Sequence, residues 1–162
     1  EYYRIFDKFK SINSNIEFSS DFIIGYPEEN NQDFADTLNL VKNIKFINSF
    51  SFIFSPRPGT IASKLETLDK KESISRLKTT QALLFKNQKE MNKSLENKVI
   101  NVLVENQTED KINLFGRSEY MTSVILNGSD NLIGKIVKVK IFKSNQNTLF
   151  GNVINLTNQR VA

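Results

Sequence analysis

The chain has 162 residues, a formal net charge of +4 and 39% hydrophobic residues. This composition can form a core and is not typical of disorder. It contains no cysteine and no histidine, which excludes thiol chemistry, Ser-His-Asp catalysis and cysteine- or histidine-ligated metal sites within this chain. No apolar run approaches the roughly 20 residues of a membrane helix, so we expect no membrane partner. Because the chain begins with Glu1 rather than Met, we expect a piece of a longer protein.

Residues 1–95 alternate helical and strand periodicities. Apolar residues recur at helical spacing from Tyr2 to Phe9, which predicts an amphipathic first helix. Alternation predicts a strand from about 16 to 24, and a second helix follows with Asn30 as its N-cap. A further strand is predicted from about 47 to 54. This order of elements is typical of a βαβ unit with parallel strands.

The two predicted strands have one apolar and one polar side. We expect Phe50, Phe52 and Phe54 to pack against the helices. The opposite side is then polar and carries Ser19, Asp21, Ser49 and Ser51. We expect Asp21 near the carboxyl end of its strand, where ligand sites of such sheets lie. The polar side is typical either of a ligand-holding barrel lumen or of a solvated edge.

A long helix is predicted from about 70 to 95. Its stripe at three- and four-residue spacing contains Ile74, Leu77, Leu84, Met91 and Leu95, with Gln81 and Gln88 in the same stripe. We interpret this two-heptad stripe as core packing rather than as a coiled-coil surface.

From residue 97 onward the sequence contains five short β runs separated by turns rich in Asn, Asp and Gly. The runs are Val99–Val104, Ile112–Gly116, Met121–Leu126, Lys135–Phe142 and Thr148–Ile154. Five short strands without a helix pattern predict a small all-β barrel of the OB type. Such barrels commonly bind nucleic acid, and a purely structural barrel is the alternative.

Positive charge is concentrated at the end of the chain. Beyond Asp130 there is no acidic residue, and the bases are Lys135, Lys138, Lys140, Lys143 and Arg160. This pattern indicates either a phosphate-facing surface or a solvated basic edge. Arg117, Tyr120 and the lysine row are the candidate RNA-contacting residues, because bases stack on aromatic rings and phosphates bind Lys and Arg.

Five ordered motifs together resemble one family. They are SSDFIIGYPEE at 19–29, SFIFSPRPGT at 51–60, Gly116-Arg117-Ser118, NLIGKIVKVKI at 131–141 and TLFG at 148–151. In this order they resemble the C-terminal part of MiaB-type tRNA methylthiotransferases, which are radical S-adenosylmethionine enzymes ending in a TRAM domain. The resemblance implies an α/β partial radical-SAM (βα) barrel with a trailing helix at 1–95. A small all-β, OB-like TRAM barrel would follow at 96–158.

The resemblance also implies an activity. The family adds a methylthio group to position 2 of N6-isopentenyladenosine next to the anticodon, using S-adenosyl-L-methionine and two 4Fe-4S clusters. The family's cluster cysteines lie upstream of this segment, and this chain has none. We therefore expect no catalytic and no metal-ligating residue here, and an inactive fragment when the chain is alone. The expected partner is the tRNA anticodon stem-loop, in the cytoplasm.

Matching the motifs residue by residue gives the expected sites. In the family the strand matching 19–25 lines the S-adenosylmethionine site, which makes Ser19, Asp21 and Gly25 the cofactor-side candidates. Arg57 would hold a carboxylate or phosphate, or else form an interdomain salt bridge. The expected RNA contacts are Arg117, Ser118, Tyr120, Lys138 and Lys140.

Two positions depart from the family pattern. The family's usual glycine after the Tyr/Phe-Pro pair is Glu28 here, and the second residue of its Glu-Gly pair is Asn106. Glycine matters at such positions if the loop needs a positive φ. Two other interpretations remain beside a methylthiotransferase. One is a non-catalytic RNA-binding remnant of a split or decayed gene, and the other is a structural domain without an RNA role.

Overall fold

A computed structural model describes residues 1–154 of the chain. They form two compact units, Glu1–Asn87 and a second that begins at Gln88. The helices are α1 (Tyr2–Ile12), α2 (Asn31–Ile44) and α3 (Lys70–Ser94), and α3 contains the division between the units. The strands are β1 (Asp21–Ile24), β2 (Phe50–Ile53), β3 (Val99–Gln107), β4 (Leu114–Ser118), β5 (Ser123–Asn127), β6 (Ile136–Ser144) and β7 (Thr148–Val153). The predicted domain boundary between 95 and 96 stays a prediction.

The helices begin where local chemistry stabilises their ends. Asn30 is the N-cap of α2, as predicted, and its side chain accepts hydrogen bonds from the backbone N–H groups of Gln32 and Asp33. The Asp33 carboxylate in turn accepts one from the Asn30 N–H, which completes a capping box. The predicted long helix is confirmed as α3, and its Leu84 lies in the core of the first unit.

β1 and β2 are parallel, as predicted, but both are shorter than the predicted strands. Asn48 has a φ of 46°, and the Ser49 hydroxyl accepts a hydrogen bond from the Ser20 N–H in place of a backbone carbonyl. These two features interrupt the regular ladder, so β1 starts at Asp21 and β2 at Phe50. Asp21 is therefore the first residue of its strand, and the prediction that it lies near the carboxyl end is wrong.

The predicted faces of β2 are also wrong. Asp21 pairs with Phe50 and Ile23 with Phe52, and all four side chains lie exposed on one face, which we call the open face. Ser51 pairs with Phe22 on the opposite face, which packs on the core of the first unit. Partners in a parallel pair share a face, so the register with β1 places the phenylalanines beside Asp21 rather than against the helices.

The predicted five-stranded barrel is confirmed. Its strands close in the order β3-β4-β5-β7-β6, with β5 and β7 parallel and the other pairs antiparallel. The core contains Leu95, Ile100, Val102, Val104, Leu114, Val124, Leu126, Val139, Ile141 and Leu149. Inward positions therefore alternate with outward ones along each strand.

One inward position needs glycine. A Cβ atom at Gly151 of β7 would lie 2.3 Å from Cγ1 of Val139 on the neighbouring strand. No real Cβ atom approaches a carbon so closely, so β6 and β7 pack together only because this side chain is absent.

The end of α3 is attached to the β6–β7 turn by a buried polar network. Asn92 is fully buried, and its amide donates to the backbone carbonyls of Asn145 and Gln146 at 3.0 and 2.9 Å. Its own oxygen accepts from the Gln88 side chain at 3.0 Å. Both ends of the Asn92 amide thus have partners, so the network stabilises the turn rather than destabilising the core.

Glu96 completes this attachment. Its Oε1 atom accepts from the Ser144 N–H at 2.9 Å and from the Ser144 hydroxyl at 2.8 Å. Its Oε2 atom forms an ion pair with Lys93. The hydrogen bond from Lys93, followed by those from Ser144, lowers the pKa of Glu96 below its usual 4.5. The carboxylate is thus bound to the fold in its ionised form.

We predict that Glu96 makes the barrel less stable as the pH falls. A lowered folded-state pKa gives stability that is present above the unfolded pKa and is lost as pH falls through the folded pKa. We expect Glu96→Gln to lower the melting temperature at about pH 7, and the deficit to shrink toward about pH 3. Melting curves by circular dichroism measure this, with the exposed Glu119→Gln as control. A deficit that stays constant with pH contradicts a role for the Glu96 charge.

Candidate functional site

The outer side of the barrel brings together three of the basic residues predicted to contact RNA. Register pairs join Arg117 of β4 to Leu103 of β3, and Leu103 to Ile136 of β6. Lys138 and Lys140 follow Ile136 at successive outward positions of β6. Since register partners of antiparallel strands share a face, all of these side chains lie on one surface. We call it the basic face.

The lysines of the basic face are exposed because their neighbours are buried. Val139 and Ile141 point into the barrel core, which directs Lys138 and Lys140 outward. The two lysines pair with Asn101 and Val99 of β3, neither of which is acidic. Side chains two residues apart on a strand lie about 6.8 Å apart, so two ammonium groups stand side by side. This arrangement suits an extended polyanion.

Arg117 is oriented by three groups around it. Its Nε atom lies 3.3 Å from Oε1 of Glu105, and its Nη1 atom lies 3.5 Å from the Met121 carbonyl. Its guanidinium carbon lies 5.8 Å from the centre of the Phe115 ring, which is a cation–π distance. The side chain remains about two-fifths exposed at 42%. Arg117 can therefore offer its remaining N–H groups to an anion while its position is held.

Ser118 is the last residue of β4, and Tyr120 lies in the turn between β4 and β5. Ser118 is only 3% exposed, and its hydroxyl oxygen accepts from the N–H groups of Tyr120 and Thr122 at 3.3 and 3.2 Å. Tyr120 is half-buried and packs against the barrel core. The structure thus gives Ser118 a role in shaping the turn next to Arg117, and direct RNA contact by either residue stays a prediction.

The remaining predicted bases are Lys135, Lys143 and Arg160. The Lys143 ammonium lies 6.0 Å from the centre of the Phe150 ring. Lys135 is exposed just before β6. Arg160 lies outside the residues that the structure describes.

The cofactor-side candidates occupy the two ends of β1. Ser19 and Asp21 are exposed at its start, where the Ser19 hydroxyl donates to the Asn48 carbonyl at 3.0 Å. Gly25 is buried at its end, with a φ of 72°. A Cβ atom there would lie 2.8 Å from Oγ of Ser73 in α3. The structure brings Ser19 and Asp21 together and leaves Gly25 four residues away, against α3.

Arg57 lies in the loop after β2. Its backbone carbonyl accepts from the N–H and hydroxyl groups of Thr60 at 3.2 and 2.9 Å, which closes a turn. The side chain is exposed. Its roles as an anion-binding residue or as an interdomain ion pair both stay predictions.

Sequence reasoning missed the residue that holds the loop after β1. Arg76 of α3 is 5% exposed and donates to the Glu29 carboxylate at 2.7 Å and to Asn31 Oδ1 at 2.7 Å. It also forms an ion pair with Glu72. Burial by itself lowers the pKa of Arg76, but the hydrogen bonds to Glu29 and Glu72 outweigh burial and raise that pKa. The guanidinium is therefore a permanent buried cation, and no sequence pattern marks it.

The Glu29 carboxylate links Arg76 to the backbone at the end of β1. Its second carboxylate oxygen accepts from the Gly25 N–H at 2.9 Å. Glu28, which lies between Gly25 and Glu29 in the chain, adopts a φ of 70°, the left-handed conformation that favours glycine. The loop therefore takes a glycine-like conformation at Glu28, the position where the resemblance led us to expect glycine.

The described residues supply no metal site. Within residues 1–154 no group of three or more Asp or Glu side chains is placed to hold a metal ion. Among the same residues, no helix is long and apolar enough to cross a membrane.

Comparison with known proteins agrees with this geometry. Residues 93–154 match the family model of the TRAM domain, and this range includes every strand of the barrel. These residues form a TRAM domain. The basic face described above is thus a surface of the TRAM domain.

The whole chain also resembles curated relatives. It is 57% identical over 162 residues to the tRNA-2-methylthio-N(6)-dimethylallyladenosine synthase of Pelagibacter ubique, covering 100% of this chain and 36% of that protein. Proteins of the same name from Ruthia magnifica and Anaplasma phagocytophilum are 44% and 38% identical, covering 95% and 98% of this chain and 35% and 37% of theirs. The chain therefore spans about a third of the length of these relatives. The resemblance to MiaB-type tRNA methylthiotransferases is confirmed.

We predict that the Glu29 carboxylate is essential for the loop after β1. Glu29→Ala leaves the buried charge of Arg76 with a partner missing, and breaking a buried ion pair in this way destabilises by about 3–5 kcal/mol. The Gly25 N–H also loses its acceptor. Urea unfolding measures the stability, and amide hydrogen exchange measures the protection of Gly25.

The matched control for that experiment is Glu28→Ala. It removes a carboxylate from the adjacent, exposed residue and keeps a non-glycine side chain at the same positive φ. We expect stability and Gly25 protection close to those of the unaltered chain. Equal losses of stability and of Gly25 protection in both variants would show that the Arg76–Glu29 contact contributes no more to stability than the exposed Glu28 side chain does.

Proposed function

We propose that this chain is the C-terminal part of a tRNA methylthiotransferase that adds a methylthio group to position 2 of N6-isopentenyladenosine beside the anticodon. Its TRAM domain would bind the anticodon stem-loop of tRNA in the cytoplasm. The observation that carries the tRNA-binding part is the basic face, where Arg117, Lys138 and Lys140 lie on one side of the barrel. The names of the relatives, which are tRNA-modifying synthases, support the reaction.

In this proposal the three cations of the basic face bind phosphates, and Ser118 supports one of them. Lys138 and Lys140 bind successive phosphates as point charges, and Arg117 binds a phosphate oxygen through its forked N–H groups. Ser118 holds the turn that positions Arg117 and Tyr120. Because phosphate contacts carry no sequence information, this surface orients the tRNA and does not select the modified base.

The first unit would belong to a radical-SAM (βα) barrel. Its open face carries the Asp21 carboxylate beside the exposed rings of Phe50 and Phe52. A carboxylate next to aromatic surface fits a nucleoside group such as that of S-adenosylmethionine, with Asp21 accepting hydrogen bonds from a ribose hydroxyl or an amino group. When bound, S-adenosylmethionine supplies the radical of the family's reaction. Ser19, Gly25 and Arg57 are the other proposed cofactor-side residues.

The 4Fe-4S clusters do not fit this chain. Iron–sulfur clusters are held mainly by cysteine thiolates, and the sequence contains no cysteine and no histidine. The proposed activity therefore belongs to a longer protein, and the part played by this chain is to bind RNA and to line one side of the cofactor site.

We predict that RNA binding depends on salt through Lys138 and Lys140. Each phosphate contact on a single strand contributes about 0.7 to the slope of log K against log salt, so replacing both lysines by Gln should reduce the slope by about 1.4 to 2. Fluorescence anisotropy with an anticodon stem-loop measures this. The control is Lys111→Gln, an exposed lysine in the β3–β4 turn, which should leave the slope unchanged. An unchanged slope in the double variant would place the RNA site elsewhere.

A domain-replacement experiment tests the reaction and its alternative. The matching third of the Pelagibacter ubique relative is replaced by this chain, and 2-methylthio-N6-isopentenyladenosine in tRNA is measured by mass spectrometry. The identity of 57% over the full chain predicts that the hybrid protein retains the modification. A hybrid that binds tRNA but forms no methylthio product would favour the non-catalytic RNA-binding remnant.

A further inference from the structure

An exposed aromatic ring lies at the end of the basic face. Phe142 follows Lys140 on the outer side of β6, and its side chain is 56% exposed. The register between β6 and β7 shifts between Ile141 and Lys143. Because of this bulge Phe142 and Lys143 are both exposed, instead of one of them pointing into the core. The outer side of β6 thus carries Ile136, Lys138, Lys140 and Phe142 in this order.

The other aromatic side chains of the barrel are less available. Phe115 and Phe150 are half-buried, and each has a cation over its ring, from Arg117 and Lys143. Tyr120 is half-buried against the barrel core. Among the described residues of the second unit, Phe142 is the only aromatic side chain that is exposed. The Phe142 ring is therefore available to a ligand, whereas the other three rings are partly covered.

We infer that Phe142 stacks on an unpaired base of the RNA whose phosphates bind Lys138 and Lys140. The inference rests on the proposed function and adds a contact that phosphate binding does not supply. Lys140 and Phe142 lie about 6.8 Å apart along one side of β6. A base can therefore reach the ring while its own backbone stays on the lysines. Proteins that bind unpaired nucleotides combine cationic grooves with aromatic rings in this way.

The charge around Phe142 favours RNA over a protein partner. No acidic residue occurs in β6, and Lys140 and Lys143 flank the ring along the strand. The Glu96 carboxylate contacts Ser144 at the end of β6, but its charge is paired with Lys93. Protein interfaces are depleted of lysine, and their cores exclude charge. A ring between two exposed lysines therefore suits a ligand that is anionic and planar.

The test is Phe142→Leu in the complete chain, with the anticodon stem-loop as the probe. Loss of one stacked base should weaken binding about 5- to 150-fold. The salt slope should stay unchanged because stacking releases no counterions. The matched control is Phe85→Leu, which makes the same exchange at an exposed position of α3. We expect Phe85→Leu to bind as tightly as the unaltered chain.

A second variant gives a direct signal. The sequence contains no tryptophan, so Phe142→Trp introduces a single indole whose fluorescence reports stacking. We expect its emission to be quenched when RNA is added, and the emission of Phe85→Trp to stay constant. This measurement remains informative even if Phe142→Leu alters the stability of the bulge.

The outcomes separate the two proposals. If the unaltered chain binds the stem-loop but Phe142→Leu binds equally well and the emission of Phe142→Trp does not change, the stacking inference is wrong and the phosphate surface stands. If Phe85→Leu weakens binding as much as Phe142→Leu, the inference is also wrong. If the unaltered chain binds no RNA, the proposed function fails and the inference fails with it.

Discussion

The two-residue period of β6 is the constraint on which the proposed interface depends. Val139 and Ile141 are fully buried in the barrel core, and a shift of one residue would exchange them for the lysines between them. Pairing with β3 on one side and with β7 on the other prevents that shift. The positive surface is therefore a consequence of core packing. Its geometry is set by the barrel, which suits the proposed role of this surface in orienting an RNA.

The far end of β6 is held by residues that come before the TRAM match. The match begins at residue 93, whereas Asn92 and Gln88 form the buried amide network that holds the β6–β7 turn. The barrel therefore includes the last turns of α3, in agreement with a second unit that begins at Gln88. Gln88 was expected in the apolar stripe, and the structure shows why a polar residue is accepted there: its amide has a buried partner.

Sequence reasoning succeeded where the signal was local. The Asn30 cap, the helix α3 and the alternation of β6 each depend on residues close together in the chain, and all three were predicted. It failed for β2, where Phe and Ser alternate and either set could face the core. The register between Asp21 and Phe50 decides this, and that pairing joins residues far apart in sequence. The ends of the strands were missed because Asn48 has a positive φ, which the sequence does not reveal.

The loop after β1 shows how a departure from a family pattern can be accommodated. A non-glycine residue in the left-handed region is strained by about 1–2 kcal/mol, and Glu28 has this conformation. The adjacent Glu29 accepts hydrogen bonds from Gly25 and from the buried Arg76. These charge-assisted contacts can offset the strain, since each is stronger than a neutral hydrogen bond. The loop therefore keeps a glycine-like shape without glycine at 28, and the substitution alone does not argue against a cofactor at the strand end.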